Sequence, residues 1–203
     1  VPEADAYAVA EAIGCDPRVG VSYIRPGGPY GGPCFPRDSR AFAVFASELG
    51  GSAPLARSTD VVNNRQVDRA IFHISRTGRK RVGILGFTYK PGTPIYEESF
   101  GLKLAKQLIF EGYDVEVYDP MLKVKPENAP ECGWHFGPEP CFGNETVTVL
   151  ATPDKNFVRI FPDIFANDGR MNSRILDCWG LLPYSPWSDT HVIRMGVGNA
   201  ARS

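Results

Sequence analysis

The sequence has few of the residue types that bind metal ions and none of the spacings typical of a disulfide framework. Its three histidines are scattered without ligand spacing, and its five cysteines are an odd number without a CxxC pair. We therefore expect neither a metal site nor a framework of disulfides. The formal net charge of −1 gives no electrostatic support for nucleic-acid binding, so we expect no nucleic-acid partner.

Long apolar runs and targeting signals are also missing from the sequence. No run approaches the roughly 18 to 20 residues of a membrane span, and no basic region followed by an apolar segment opens the chain. We expect no membrane partner and a cytoplasmic location. A chain of 203 residues, of which 43% are hydrophobic and 22% are charged, can bury a core in one or two domains.

One cysteine, Cys34, stands in a setting that favours reactivity. Residues 31–38 read GGPCFPRD, in which the paired glycines allow the backbone to approach a ligand closely and the second proline fits the first turn of a helix. Cys34 would then lie near the positive end of that helix, which favours a nucleophilic thiolate. Asp38 follows by four residues and could lie beside the sulfur, and Arg37 adds a positive charge. The alternative interpretation is a buried structural cysteine in a tight turn.

The pattern of apolar residues divides the chain into a helical part and an α/β part. Residues 4–13, 39–49 and 60–76 are predicted to be helices, and residues 77–80 a hinge. The last helix is predicted to bury an apolar side formed by Val61, Val62, Val67, Ile71 and Ile74. From residue 81 onward, short β-branched runs alternate with helical pattern, which predicts a doubly wound parallel sheet with strands at 82–86, 115–118, 147–151, 175–177 and 191–194 and a helix at 100–111. Residues 120–143 are rich in proline and glycine, and we assign them no structure.

The first strand of the α/β part is not followed by a dinucleotide fingerprint. The turn after it reads GFTYKPGTP, which lacks the GxGxxG spacing that brings a helix N-terminus against a pyrophosphate. Lys90 lies in this turn, at the strand edge where open α/β sheets bind ligands. The alternative interpretation is a solvated loop lysine.

Three stretches of the sequence together resemble one protein family. GGPYGGPCFPRD at 27–38, VGILGFTYKPGTPIYEES at 82–99 and GYDVEVYDP at 112–120 are similar to motifs of the nucleotide-sugar 6-dehydrogenases, which include UDP-glucose and GDP-mannose dehydrogenases. The resemblance implies part of a central helical dimerisation region over residues 1–78 and a Rossmann-like UDP-sugar-binding domain over residues 79–203. It also implies that an N-terminal NAD-binding domain is absent from this chain, and that this part of the enzyme is inactive alone.

The resemblance implies a reaction and a set of site residues. The C6 alcohol of a nucleotide sugar, UDP-glucose or a similar one, would be oxidised to a carboxylate with NAD, while Cys34 holds the intermediate aldehyde covalently. Asp38 would act on the water that releases the product, and Arg37 would contact cofactor phosphate or support the thiolate. Arg18 would reach the substrate of a neighbouring subunit, which implies a homodimer built on the central helices. The other substrate-binding residues implied are Tyr23, Ile24, Arg25, Tyr30, Gly31 and Lys90.

The sequence departs from the family pattern at several positions, so the sequence does not identify which nucleotide sugar is the substrate. Glu97 stands where many members have an arginine that contacts NAD, and DCWG at 177–180 stands where UDP-glucose dehydrogenases often have DGR. Pro29 and Pro33 stiffen the loop before and beside the cysteine. The alternatives are a dehydrogenase of GDP-mannose or of a UDP-N-acetylhexosamine, or a module that binds nucleotides or mediates assembly without redox chemistry.

Overall fold

The computed structural model describes residues 4–167, 173–184 and 191–198, with the backbone alone over 162–167. Three helices come first: α1 (Ala6–Gly14), α2 (Phe35–Glu48) and α3 (Pro54–Ser75). The three predicted helices are confirmed, but α2 and α3 begin four and six residues earlier than predicted. Both α2 and α3 carry a proline in the first turn, where the missing N–H costs no hydrogen bond.

A six-stranded parallel sheet follows, which confirms the predicted α/β class. Its strands are β1 (Arg81–Leu85), β2 (Asp114–Tyr118), β3 (Gly133–His135), β4 (Thr146–Leu150), β5 (Arg174–Asp177) and β6 (Val192–Arg194), with helices α4 (Phe100–Phe110) and α5 (Lys155–Asn167). The strand order is β3-β2-β1-β4-β5-β6, the order of a doubly wound Rossmann-like fold. All five predicted strands are present, and β3 is an additional edge strand inside the segment to which we assigned no structure.

Apolar side chains are buried on both faces of this sheet. Successive strand residues point to opposite faces, so Val82 and Ile84 join one cluster with α4 while Leu85 joins the other with α5. Two phenylalanines four residues apart, Phe157 and Phe161, anchor α5 in the second cluster. Helices on both faces explain why the strands are continuous apolar runs rather than alternating ones.

The end of α3 belongs to the core of the α/β part. Val67, Ile71 and Ile74 lie in the same buried cluster as the β1 and α4 side chains, and Ile74 is fully buried. Each such side chain contributes about 1.5 to 3 kcal/mol when it leaves water. The prediction of a single apolar side was wrong for the first half of the helix, because Val61 and Val62 are exposed.

The turn after β1 is held by a buried carboxylate. Asp119, which follows β2, accepts hydrogen bonds from the N–H groups of Phe87 and Thr88 (2.7 and 2.8 Å) and from the Thr88 hydroxyl (2.9 Å). On the other side, the Thr152 hydroxyl donates to the Thr88 carbonyl oxygen at 2.7 Å. These bonds fix the start of the loop that leads to Lys90.

Across the part of the chain that the structure describes, no helix is long and apolar enough to cross a membrane.

Candidate functional site

Cys34 is the residue immediately before α2, and its side chain is exposed. Its carbonyl oxygen accepts the Asp38 N–H at 2.8 Å, so the helix begins directly at the cysteine. The thiol makes no capping hydrogen bond and is open to solvent. This position agrees with a thiol presented at the amino end of a helix and differs from the alternative of a buried structural cysteine.

The two glycines before Cys34 pack against the loops of the α/β part. The Gly32 N–H donates to the Glu97 carbonyl oxygen at 2.9 Å, and a Cβ at Gly31 would lie 2.4 Å from the Glu98 carbonyl oxygen. Gly32 has a φ of +88°, and a Cβ there would meet the Tyr89 ring at 2.7 Å. A side chain at either glycine would therefore force these two loops apart. The cysteine loop thus contacts the segment that carries Lys90.

Lys90 is exposed in this segment, beyond the turn fixed by the buried carboxylate. The Tyr89 N–H donates to the Ile95 carbonyl oxygen at 3.0 Å, which closes the loop that contains the lysine. The Lys90 ammonium lies 5.3 Å from the centre of the Tyr89 ring, a cation–π distance. Because the same ring packs on Gly32, the ammonium and the thiol lie on neighbouring loops.

Arg37 and Asp38 form an exposed ion pair in the first turn of α2. The Arg37 Nε donates to Asp38 Oδ1 at 2.8 Å, and the two side chains are 67% and 61% exposed. Asp38 raises the pKa of the Arg37 guanidinium, and the nearby Cys34 and Glu97 groups act in the same direction. The carboxylate predicted to lie beside the sulfur is therefore paired with its own neighbour along the chain.

The remaining predicted substrate residues lie on the segment before the cysteine. Arg25 and Tyr30 line one groove of about 560 Å³, whose opposite wall is α3. Asn63 of α3 fixes the Tyr30 backbone by accepting from its N–H and donating to its carbonyl oxygen, both at 2.9 Å. Asn63 is buried, and the available signal was its position four residues before Val67, on the side of the helix that was predicted to be buried.

Three other predicted residues are not gathered into this groove. Tyr23 is 99% exposed, and Ile24 beside it is half-buried. Arg18 is exposed and forms an ion pair with Asp16 at 2.6 Å.

Two further residues of the site, Trp179 and Glu98, were not predicted from the sequence. Trp179, in the loop after β5, covers the start of the glycine-rich segment, since a Cβ at Gly27 or Gly28 would lie 2.5 or 2.8 Å from its ring. Glu98 contacts both the cysteine loop and α2. Each acts through contacts between distant segments, which no local pattern shows.

The residues around this sheet do not fit a dinucleotide cofactor. The carboxylate that follows the second strand, Asp119, is 3% exposed and is used by the turn after β1, so it cannot bind a ribose hydroxyl. Among the described residues, no group of three or more histidine, cysteine or acidic side chains could hold a metal ion.

Sequence comparison assigns both parts of the chain to one family. Residues 2–65 match the UDP-glucose/GDP-mannose dehydrogenase family, central domain, and residues 83–183 match the UDP binding domain of the same family. The chain belongs to the UDP-glucose/GDP-mannose dehydrogenase family. It is 36% identical over 117 residues to GDP-mannose 6-dehydrogenase of Pseudomonas aeruginosa, an alignment that covers 57% of this chain and 27% of that protein. With a UDP-glucose 6-dehydrogenase of Haloferax volcanii it shares 33% identity over 165 residues, which is 80% of this chain and 37% of that protein.

Solved structures of this dehydrogenase family share the fold. A UDP-glucose dehydrogenase from the archaeon Pyrobaculum islandicum superposes with a TM-score of 0.76 at 28% identity, over 96% of this chain and 44% of that one. The chain therefore spans less than half the length of the relatives it matches.

Proposed function

We propose that this chain is the catalytic-cysteine and sugar-nucleotide-binding part of an NAD-dependent nucleotide-sugar 6-dehydrogenase. The observation that carries the proposal is the exposed Cys34 at the start of α2, in a loop that packs directly on the segment bearing Lys90. Such an arrangement lets one ligand contact a nucleophilic thiol and a cation at the same time. Residues 1–78 would form part of the central helical domain, and residues 79–203 the nucleotide-sugar-binding domain.

The Cys34 thiol makes the second oxidation possible, because it holds the intermediate aldehyde covalently. NAD, when bound, accepts the hydride that leaves C6 of the sugar. The Cys34 thiolate attacks the resulting aldehyde carbon, and the new carbon–sulfur bond holds it as a thiohemiacetal. In the second oxidation the C6 hydride of the thiohemiacetal would pass to a second NAD molecule and its hydroxyl proton to water, which leaves a thioester. Water then breaks the carbon–sulfur bond, releasing the carboxylic acid and restoring the thiol.

The groups near the thiol serve this sequence of steps. Asp38 orients or deprotonates the water that attacks the thioester, and it lies on the first turn of the helix that begins at the thiol. Arg37, paired with it, supports the thiolate or contacts cofactor phosphate. Because this sheet does not fit a dinucleotide, we place the main NAD site on another part of the full-length protein.

The substrate would lie between residues 23–34, which include the cysteine, and the loop that carries Lys90. Arg25 and Lys90 supply positive charge for the diphosphate and sugar, and an arginine binds phosphate oxygens with a planar fork. The family's substrates are UDP-glucose and GDP-mannose, so both are candidates here, with a UDP-N-acetylhexosamine as a third. UDP-glucose is our first choice. The further binding residues proposed are Tyr23, Ile24, Tyr30 and Gly31.

We also propose a homodimer through the helical part. Eight large apolar side chains on α2 and α3 are at least half exposed, which is typical of a surface that another protein covers. They are Phe35, Phe42, Val44, Phe45, Leu55, Val61, Val62 and Phe72. Arg18, exposed on the preceding segment, would reach the partner's substrate. Family membership also leads us to propose a cytoplasmic enzyme.

A substrate panel with the full-length protein tests the function. Wild type is expected to reduce NAD and form a uronate from one of the candidate nucleotide sugars, whereas Cys34→Ser stops at the aldehyde. Cys15→Ser is the matched control, because Cys15 is also exposed and lies on the helical part. Unchanged uronate formation by Cys34→Ser would remove the role assigned to the thiol. Nucleotide binding without any oxidation would favour the module.

A further inference from the structure

Glu98 has an unusual backbone for its residue type. Among the residues that the structure describes, it is the one non-glycine residue with a positive φ, 53°. This left-handed conformation is unfavourable for a side chain with a Cβ and persists where the surroundings impose it. Glu98 directly precedes the Ser99 that caps α4, so the strained residue lies between the Lys90 loop and a core helix.

The Glu98 side chain joins two helices that are far apart in the sequence. Its carboxylate accepts a hydrogen bond from Arg40 of α2 at 3.0 Å and forms an ion pair with Lys103 of α4 at 2.8 Å. Hydrogen bonding from Lys103 lowers the pKa of Glu98 against the effect of burial, and Arg40 lowers it further. The carboxylate is therefore ionised at neutral pH and bridges the two cations.

The backbone around Glu98 supports the loop on the other side of the thiol. The Glu98 carbonyl oxygen lies against Gly31, and the carbonyl oxygen before it accepts the Gly32 N–H. Glu98 therefore contacts the chain on both sides of Cys34. Its backbone contacts Gly31, three residues before the cysteine, and its side chain contacts Arg40, six residues after it. A single residue of the α/β part fixes both sides of the cysteine.

We infer that Glu98 is a positioning residue for Cys34, which sets the direction of the thiol by fixing its loop and its helix together. The inference deepens the proposed function, on which it rests for its kinetic readout. A carboxylate between two cations is suited to positioning the thiol, because one group can hold α2 and α4 in a fixed position relative to each other. Neutralising it keeps the shape of the side chain and removes the bridge.

The kinetic test uses Glu98→Gln and Arg40→Met in the full-length protein. Each is expected to lower kcat for uronate between about 10- and 100-fold without raising KM, because a displaced thiol captures the aldehyde poorly. The aldehyde left by the first oxidation can be captured with an aldehyde-trapping reagent as it leaves the enzyme. The ratio of this trapped aldehyde to uronate should rise. This ratio does not depend on how much enzyme is folded, so a loss of stability alone cannot change it. The loss of kcat in the double variant should be smaller than the product of the two single losses, since both substitutions remove the Arg40–Glu98 pair.

A second measurement needs no substrate. Amide hydrogen exchange of Gly32 and Asp38, whose N–H groups are bonded on either side of the thiol, should be about tenfold faster in Glu98→Gln. Arg57→Met is the matched control, because Arg57 donates to Ser47 and Ala43 and so ties α3 to the far half of α2. It should leave both the exchange of these amides and the aldehyde ratio unchanged.

Two results would overturn the inference. One is a wild-type aldehyde ratio in Glu98→Gln and Arg40→Met, and the other is equal exchange of the two amides in Glu98→Gln and wild type. If wild type makes no uronate from any nucleotide sugar, the proposed function fails, and the exchange experiment still decides whether Glu98 fixes the cysteine loop.

Discussion

Gly31→Ala tests the contact that joins the cysteine loop to the α/β part. Gly31 is buried, and its missing Cβ would lie 2.4 Å from the Glu98 carbonyl oxygen and 3.0 Å from the Ser99 Cα. All of the close atoms belong to the backbone, so no side chain can rotate away. Ordinary contact begins at 3.4 Å, and the loop must therefore withdraw by about 1 Å, the difference between 3.4 and 2.4 Å.

The magnitude follows from two opposing effects. Forcing a methyl group into a packed site costs about 1 to 3 kcal/mol, whereas replacing glycine with alanine returns about 0.4 to 1 kcal/mol by restricting the unfolded chain. At the middle of each range the free energy of unfolding should fall by about 1.3 kcal/mol, which lowers Tm by roughly 3 to 5 °C for a chain of this size. A 1 Å displacement of the thiol should lower kcat for uronate by up to about 100-fold.

The assay combines thermal unfolding with uronate formation by the full-length protein. Gly51→Ala is the matched control, because Gly51 is exposed just after α2 and its nearest obstacle is the Ala46 carbonyl oxygen at 3.2 Å. The control should change the free energy of unfolding by less than about 1 kcal/mol and leave kcat unchanged. If Gly31→Ala keeps wild-type Tm and kcat, the close packing of these two segments does not position the thiol.

Three further outcomes follow from the structure. Asp119→Asn should lower the free energy of unfolding by about 1 to 3 kcal/mol in urea titration, because an amide oxygen that replaces Oδ2 and accepts the three bonds from the turn after β1 leaves an NH2 group facing the Met121 N–H, which Oδ1 accepts in wild type; a wild-type midpoint would contradict this. Burial raises the pKa of Glu116, but hydrogen bonds from His135 and Arg81 outweigh it and leave the pKa below the usual 4.5. Glu116 therefore stabilises the fold above pH 4.5 and loses this contribution as the pH falls through its folded pKa, so Glu116→Gln should be about 1 kcal/mol less stable than wild type at pH 7, and this difference should shrink as the pH falls below 4.5. Alkylation followed by mass spectrometry should label the exposed thiols first and the two buried ones, whose pKa is raised by burial, after unfolding; the exposed pair is Cys15 and Cys34, and the buried pair is Cys141 and Cys178.

The sequence predicted most of the fold because its signals are local. Glycine, proline and β-branched runs mark the strands and turns of the sheet, and these follow from backbone sterics within a few residues. The edge strand β3 was missed because it has three residues, Gly133–His135, and pairs on one side with β2. Helix α5 was also missed, although the spacing of Phe157 and Phe161 was an available signal.

The site was less predictable than the fold, for a physical reason. The position of Cys34 before a helix could be read from the proline two residues later. The role of Glu98 could not, because it depends on Arg40, which lies 58 residues away, and on a backbone conformation that glutamate rarely adopts. The exposure of Val61 and Val62 was likewise hidden, since their apolarity does not say whether this chain or another covers them.

The way α3 ends determines where the molecule can be cut for separate study. A helix of 22 residues extends about 33 Å at 1.5 Å per residue, and its final turns lie in the core shared with β1 and α4. A product that stops at residue 78 would leave Val67, Ile71 and Ile74 without their covering, and the remaining piece would have an open gap on one sheet face. A fragment of the sheet that is meant to fold alone must therefore start upstream of Val67 and retain the second half of α3.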